Sequence, residues 1–509
     1  METAHSHRSK TLVLFSNTFP YGKGETFLAD ELPFVAAKFG RVIIYPLFKA
    51  EEANLPTQQN RLQQLPANVE VEEPILNFID KNRRELLESG IFNLSPFTLK
   101  RVSGFSFKEF WHRALLGKNI PLLPGQKKAS LPKRIWIFFN YLSIYRAIRA
   151  DKNKWNEILR TCAVADIIYF YWGDKSVMVA PDLKRELAKV CANPPKICAR
   201  LHGSDLWEGA KGYLPYREEI YASLDFAGVD SKRGYNYILD NYKNHPTEVR
   251  VCYMGSIKPK RDVKEKCNSL QSADNESVNK TLRLLSCSNI IELKRVELIF
   301  SSILTIIENK EYFLQLKNSG FEKIEWTHFG AGELMEQLLL KIEDKFKAGI
   351  EGKGLPDNKE NKNSGGVIFE NNLLKVFIKG HVPHSEILSH YREQGGNLFI
   401  LLSRTEGVPI SLMEALSYSI PIMATDVGGV SEIFNNSNYS TNCSHKEREI
   451  GYLLPAEVNE QIVANAILHY AGLKQEERYN ISKCAQLKWR ESWNGEINYA
   501  HFAEILSLL

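Results

Sequence analysis

Residues Asn397–Phe434 read NLFILLSRTEGVPISLMEALSYSIPIMATDVGGVSEIF. Leu398–Leu402 is a continuous apolar run of strand length, and Ser403–Val408 is a polar loop. Pro409 opens a helix to about Tyr418, because its fixed φ and missing N–H suit the first helical position. Leu412, Met413 and Leu416 fall on one face of that helix, and Ile420–Pro421 feeds the next strand. Two buried strands joined by a helix make one βαβ unit, so the helix start lies at the carboxyl edge of a parallel sheet, where open α/β sheets bind ligands. Unpaired N–H groups and the positive end of the dipole suit an anion there. Gly407, without a Cβ, lets a phosphate approach the main chain. Glu406 in the loop and Glu414 almost two turns into the helix are spaced to accept hydroxyls from the two ends of a sugar–diphosphate–ribose ligand. A Glu-x7-Glu pair by itself reads equally as a loop charge and a helix-face charge. The second Gly-rich turn that follows, Thr425–Glu432 (TDVGGVSE), gives the pair its weight.

Similar apolar runs recur on both sides of this unit. They are Thr11–Phe15, Val42–Phe48, Asp166–Trp172, Lys196–Leu201, Phe226–Val229 and Val249–Met254 in the first half of the chain. Leu282–Ser286, Trp326–Phe329, Lys375–Ile378 and Pro421–Thr425 follow in the second. Most are rich in Ile, Val, Leu and aromatics throughout, which marks parallel strands buried on both faces with helical crossovers. The expected architecture is α/β: two doubly wound, Rossmann-like parallel-sheet domains facing a cleft. Domain boundaries are expected at 1–257 and 281–488, with the polar stretch 258–280 as linker and a surface insertion at about 347–363. The segment 489–509 is expected to form a helix that packs back on the body through Trp493, Ile497, Tyr499, Phe502, Ile505 and Leu506.

The chain has 509 residues, 44% hydrophobic and 25% charged, which excludes disordered, fibrous and small disulfide-stapled classes. Eight scattered cysteines without a Cys-x-x-Cys suggest reduced thiols, with neither a zinc site nor a disulfide frame. No secretory signal or 18-residue apolar span is apparent, so a cytoplasmic location is expected. Charge is uneven. Residues 100–154 hold thirteen Lys or Arg against Glu109 and Asp151, interleaved with Phe105, Phe107, Phe110, Trp111, Trp136, Phe138, Phe139, Tyr141 and Tyr145. This mixture suits an anionic lipid surface, hence a peripheral position on the inner face of the cytoplasmic membrane. It suits equally a solvated basic face over a partly buried helix. No nucleic-acid-binding motif accompanies it.

The 397–434 segment resembles the donor site of glycosyltransferase family 4 (glycosyl transferases group 1), retaining enzymes of the GT-B fold that use nucleotide sugars without a metal. The resemblance runs in order along nearly the whole chain and is strongest over Arg283–Gly451. It makes 1–257 the acceptor-side domain and 281–488 the donor domain. It implies that Glu406 contacts the donor sugar, Glu414 holds the ribose, and the backbone of Gly407, Val408, Pro409 and Ile410 meets the diphosphate. In Ser286–Arg295 (SCSNIIELKR), Lys294 matches the family's lysine for the leaving phosphate, whereas Asn289 stands where the family has arginine. Either Asn289 donates a neutral hydrogen bond, or Arg295 or another cation substitutes. Gly330 and Gly332 in HFGAG resemble the turn near the nucleotide, and His381 and Val382 in KGHVP the backbone facing the base; tight-turn duty and loop exposure explain these residues as well. In the first domain, Gly22 and Gly24 of NTFPYGKGE would lie over the donor phosphates. His202, in HGSD, would contact the reacting centre or acceptor, with a loop-bonded structural histidine as the alternative. Trp172 and Asp205 are acceptor-side candidates.

The chemistry expected is transfer of a hexosyl-type sugar from a UDP- or GDP-linked donor to a saccharide or lipid-linked acceptor in polysaccharide, lipopolysaccharide or glycolipid synthesis. Charge must be stabilised on the departing phosphate. With no Asp-x-Asp anywhere in the chain, Lys294, the helix-start amides near Gly407–Ile410 and the Gly22–Gly24 loop are the parts available, and no metal or other cofactor is expected. Glu406, Lys294 and His202 are the catalytic candidates. A non-catalytic nucleotide-sugar-binding subunit, kept open by Asn289, and a nucleotide-sugar epimerase are the alternatives.

Overall fold

The computed structural model describes residues 10–21, 25–48, 61–76, 110–117, 120, 128–208, 213–259, 280–348, 359–361, 366–434 and 446–509. The chain divides into two compact units, Met1–Met254 with Gly495–Leu509, and Gly255–Asn494.

The first unit is built on β1 (Thr11–Ser16), β2 (Arg41–Pro46), β3 (Val69–Val71), β4 (Ile167–Phe170), β5 (Lys196–Leu201), β6 (Phe226–Val229) and β7 (Glu248–Val251). Their spatial order is β3-β2-β1-β4-β5-β6-β7, and every pair is parallel. Both faces are covered, so successive residues of one strand serve different cores. Val13 and Phe15 pack on the side that includes Ile137, Tyr141 and Trp155, while Leu12 and Leu14 pack with Leu28, Leu32 and Phe502. The last helix, Gly495–Leu508, buries Tyr499, Phe502, Ile505 and Leu506 in this unit. Ile497, expected on that stripe, is 56% exposed. Two residues before Tyr499 in one continuous helix, Ile497 is turned about 200° from it and off the buried face. Before the helix, Trp489–Trp493 forms a separate π-type turn, with the Trp489 indole donating to Ser256 Oγ at 2.8 Å in the second unit. Beneath β5, Arg200 pairs with Glu31 of the helix Thr26–Ala36 at 2.5 Å, both fully buried. Tyr169 donates to the same carboxylate, and the guanidinium lies 4.2 Å from the centre of the Phe502 ring.

The second unit holds β8 (Thr281–Cys287), β9 (Lys323–Phe329), β10 (Lys359–Asn361), β11 (Gly366–Glu370), β12 (Leu374–Ile378), β13 (Leu398–Leu401), β14 (Ile422–Thr425), β15 (Lys446–Arg448) and β16 (Gly451–Leu454). The order is β10-β11-β12-β9-β8-β13-β14-β16-β15. The interior six strands are parallel, and the edge strands β10, β11 and β15 are antiparallel. Chain order reverses between β1 and β4 in the first sheet and between β8 and β13 in the second. Loops at the carboxyl ends of strands diverge at such a point and open a crevice. Most of the stretch expected as linker, 260–279, and most of the expected insertion, 349–358 and 362–363, lie outside the described residues.

Candidate active site

The reversal between β8 and β13 brings two predicted residues together. After β8 the chain makes one 3₁₀ turn, Glu292–Lys294, and Arg295 takes a left-handed φ of 49° before the helix Val296–Glu308 begins. After β13 comes the loop of Glu406, tied to that turn by the Arg404 N–H donating to Leu293 O at 2.8 Å. Lys294 Nζ reaches Glu406 Oε1 at 2.5 Å, and Ser403 Oγ donates to the same oxygen at 2.5 Å. Ser403 was not singled out in the sequence, although a serine three residues before a loop glutamate is a local hydrogen-bonding signal. Arg295 is spent elsewhere: its guanidinium donates to the carbonyls of Leu402, Ser403 and Ala456. Asn289 is exposed, and its side chain makes no hydrogen bond among the described residues.

Beside this pair the helix Ile410–Ser417 begins, with Pro409 as its N-cap and not its first helical residue (φ −74°, ψ 119°). The N–H groups of Gly407, Val408 and Ile410 make no hydrogen bond among the described residues. Unbonded N–H groups at a helix start suit an anion. The second Gly-rich turn braces this loop. Gly429 N–H donates to Gly407 O at 2.8 Å, and Thr425 Oγ1 donates to Ser403 O at 2.6 Å. Gly428, at φ +55°, lies so close that a Cβ there would stand 1.8 Å from Glu406 O.

Glu414 sits deeper on the helix, its side chain 10% exposed, and its Oε1 receives His384 Nε2 at 2.6 Å. His384, the first residue of the helix His384–Glu393 after β12, also escaped the sequence reading, which stopped at His381 and Val382. Burial and the Glu414 charge push the Cys287 thiol up to about 12. The same two causes, with Cys287 beside it, raise Tyr391 well above its ordinary value. Gly330 and Gly332 close the turn after β9 against main chain: Gly330 N–H donates to Gly380 O at 2.9 Å, and a Cβ on either glycine would meet Ser288 O or Ile290 O. His381 is exposed and Val382 half-buried, both on the loop after β12. Among the described residues no cluster of three or more His, Cys, Asp or Glu is placed to share a metal ion.

In the first unit Gly22 and Gly24 lie outside the described residues, but their neighbour Glu25 does not. Its carboxylate accepts from the N–H groups of Asn17, Thr18 and Phe19 and from the Trp172 indole at 2.6–2.8 Å. This ties the loop after β1 to the loop after β4, across that sheet's own reversal. His202 is buried against Tyr171 and Trp172, with Nε2 3.0 Å from Tyr171 O. Burial, then the nearby Arg200 charge, lowers its pKa to about 3, so the ring is neutral and Nε2 is the protonated nitrogen facing that carbonyl. Asp205 accepts from the N–H groups of His202 and Gly173, which holds both loops. These four residues form one cluster at the carboxyl edge of the first sheet.

The basic–aromatic stretch is described in part, over 110–117 and 128–154. In the helix Leu131–Ala150, Phe138, Tyr141 and Leu142 are buried, and Arg149 pairs with Asp182 and Glu186. The rings there serve the core, while Lys128, Lys133, Leu131 and Trp111 face outward. Among the described residues no helix is long and apolar enough to cross a membrane.

Comparison with known proteins places these observations. Residues 305–486 match the family model described as Glycosyl transferases group 1, a segment that contains both Glu406 and Glu414. A Bacillus subtilis (strain 168) protein named for teichuronic acid biosynthesis as the glycosyltransferase TuaC is 36% identical over 64 residues; the match spans 12% of this chain and 16% of that protein's length. Among solved structures, Anabaena HepE in complex with UDP and glucose is 13% identical with a TM-score of 0.52, covering 98% of this chain and 100% of that one. An E. coli trehalose-6-phosphate protein bound with UDP-2-fluoro glucose is 13% identical with a TM-score of 0.56, at 98% and 99% coverage. The chain thus has the GT-B fold, and its residues 305–486 carry the pattern of the group 1 glycosyl transferases.

Proposed function

We propose that the chain is a retaining, metal-independent glycosyltransferase of the family 4 kind. It moves a hexosyl group from a UDP- or GDP-linked sugar to a saccharide or lipid-linked acceptor. The observation that carries this reading is the Lys294–Glu406 pair beside the unbonded N–H groups of Gly407, Val408 and Ile410. A departing nucleoside diphosphate develops negative charge on its phosphate oxygen. An ammonium and oriented amides already in place stabilise that charge without reorganisation. Glu406 accepts a sugar hydroxyl, Glu414 a ribose hydroxyl, and the leaving phosphate helps take the proton from the acceptor hydroxyl on the same face. UDP or UDP-sugar in the solved neighbours supports a nucleotide-sugar donor.

His202 in this scheme positions the Tyr171–Trp172 loop on the acceptor side, as a neutral ring. The outward Lys128 and Lys133, with Trp111 and Leu131, support a peripheral site on an anionic membrane. Salt-sensitive binding to anionic vesicles, lost on charge reversal of both lysines, tests that part. Transfer from radiolabelled nucleotide sugars to saccharide and lipid-linked acceptors tests the activity. A melting-temperature screen against nucleoside diphosphates and their sugars identifies the donor first. Asn289, exposed and uncharged, and Arg295, committed to carbonyls, favour a second reading: a subunit that binds nucleotide sugars without turning them over. Calorimetric binding with no transfer from any donor selects it.

A further inference from the structure

The helix His384–Glu393 begins on the loop after β12 and the helix Ile410–Ser417 on the loop after β13. A hydrogen bond joins them, His384 Nε2 to Glu414 Oε1 at 2.6 Å. The exposures differ sharply: the Glu414 side chain is 10% exposed and that of His384 is 53% exposed. Glu414 makes no other side-chain hydrogen bond among the described residues. The Cys287 thiol and the Tyr391 phenol lie close enough to feel its charge. A carboxylate on a flexible side chain, with one donor and no second anchor, owes its orientation to that donor.

We propose that His384 is a positioning residue for nucleoside recognition. By holding Oε1 it fixes the plane of the Glu414 carboxylate and presents Oε2 to a hydroxyl of the ribose in a nucleoside diphosphate. The inference rests on the nucleotide-sugar reading above. A fixed acceptor spares the ligand the entropy of ordering it, which is the gain of pre-organisation. The imidazole donates through Nε2 in this contact, so a shorter side chain that keeps an N–H donor preserves the function in part, and alanine does not.

The test uses the full chain and calorimetric binding of four probes: UDP, GDP and their 2′,3′-dideoxy analogues. Removing the ribose hydroxyls is expected to weaken binding to the unaltered chain. His384→Ala is expected to weaken UDP or GDP by about five- to tenfold, the loss of roughly one well-aligned hydrogen bond. It leaves the dideoxy analogue unchanged, and His384→Asn recovers part of the loss. A role in general stability would weaken both ligands alike, so equal losses overturn the proposal. If Glu414→Ala abolishes the ribose dependence while His384→Ala has no effect, this proposal fails and the nucleotide reading stands. If the unaltered chain binds neither nucleotide, the reading and the proposal fail together.

Discussion

Gly428→Ala separates a conformational cost from a functional one. At φ +55° an L-residue costs roughly 1–2 kcal/mol more than glycine. The added Cβ would also stand 1.8 Å from Glu406 O, main chain against main chain, so no side chain can swing aside to relieve it. Restoring ordinary contact moves one loop by roughly 1.5 Å or more. That shift breaks the 2.8 Å bond from Gly429 N–H to Gly407 O, worth about 0.5–1.5 kcal/mol net. The sum is about 2–3 kcal/mol, or a fall in melting temperature of about 5–10 °C for a unit of this size. Gly320→Ala is the control: its φ is +88°, and nothing lies within 4 Å of its added Cβ. It carries the backbone cost alone and lies far along the chain from the Glu406 loop. Differential scanning calorimetry and nucleotide titration are run on both variants. Gly428→Ala is expected to melt lower than Gly320→Ala and to lose nucleotide affinity at least about tenfold, because a misplaced loop of this kind is costly in an organised site. Gly320→Ala keeps its affinity. Equal melting temperatures with unchanged binding in both would refute the bracing role of the second Gly-rich turn.

Lys294→Ala and Glu406→Ala are each expected to lower transfer by about 10²–10³-fold, the range for losing one charge-stabilising or orienting group, measured as kcat/KM with the donor found in the screen. Arg200→Met leaves Glu31 buried with only the Tyr169 hydroxyl as donor; chemical denaturation should show a loss of about 3–5 kcal/mol, partly recovered when Glu31→Gln is added. His202 bears on acid stability. Its folded pKa of about 3 lies below the unfolded value near 6.5, so below pH 6.5 the unfolded chain binds a proton that the folded chain refuses. Stability falls as pH drops through that window, by at most about 1.4 kcal/mol per pH unit from this residue, and His202→Asn should flatten the decline in urea titrations at pH 4–6. His328, also held near 3 by burial, contributes a second decline of the same sign, which His202→Asn leaves in place.

Strands buried on both faces announce themselves as apolar runs, which is why β1, β2, β4–β6, β8, β9 and β12–β14 were legible; the edge strand β7 was read from its neighbouring Cys252–Met254. The pattern failed at β3, β10, β11, β15 and β16, of which β3, β10 and β15 are only three residues long. Lateral order was not legible at all, because periodicity carries no information on which strand lies beside which. Lys294 and Glu406 were readable as residues, but their 2.5 Å contact depends on β8 and β13 being neighbours. For the same reason His384 was passed over: its partner Glu414 lies 30 positions away and meets it only through the sheet. Arg295 is the reverse case. Its charge and position suited the missing arginine, and only the geometry shows it spent on three carbonyls.

The commitment of Arg295 changes the charge balance of the site. In the proposed function a diphosphate brings two or more negative charges, and Lys294 already stands opposite Glu406. An ammonium has three donors, so Glu406 and a phosphate oxygen can share it. At an effective dielectric of about 20, a phosphate charge at 4 Å attracts it by about 4 kcal/mol, as strongly as a carboxylate at that distance. Under the proposed function Lys294 would therefore bridge the two anions and need not release one for the other. One bridged cation would still leave the second phosphate charge to the N–H groups of Gly407, Val408 and Ile410. Their direction is set by the loop that Gly428 and Gly429 brace. Under the proposed function, a site with asparagine where the resemblance implies arginine leans harder on oriented peptide dipoles, and so on the two glycines that keep them aimed.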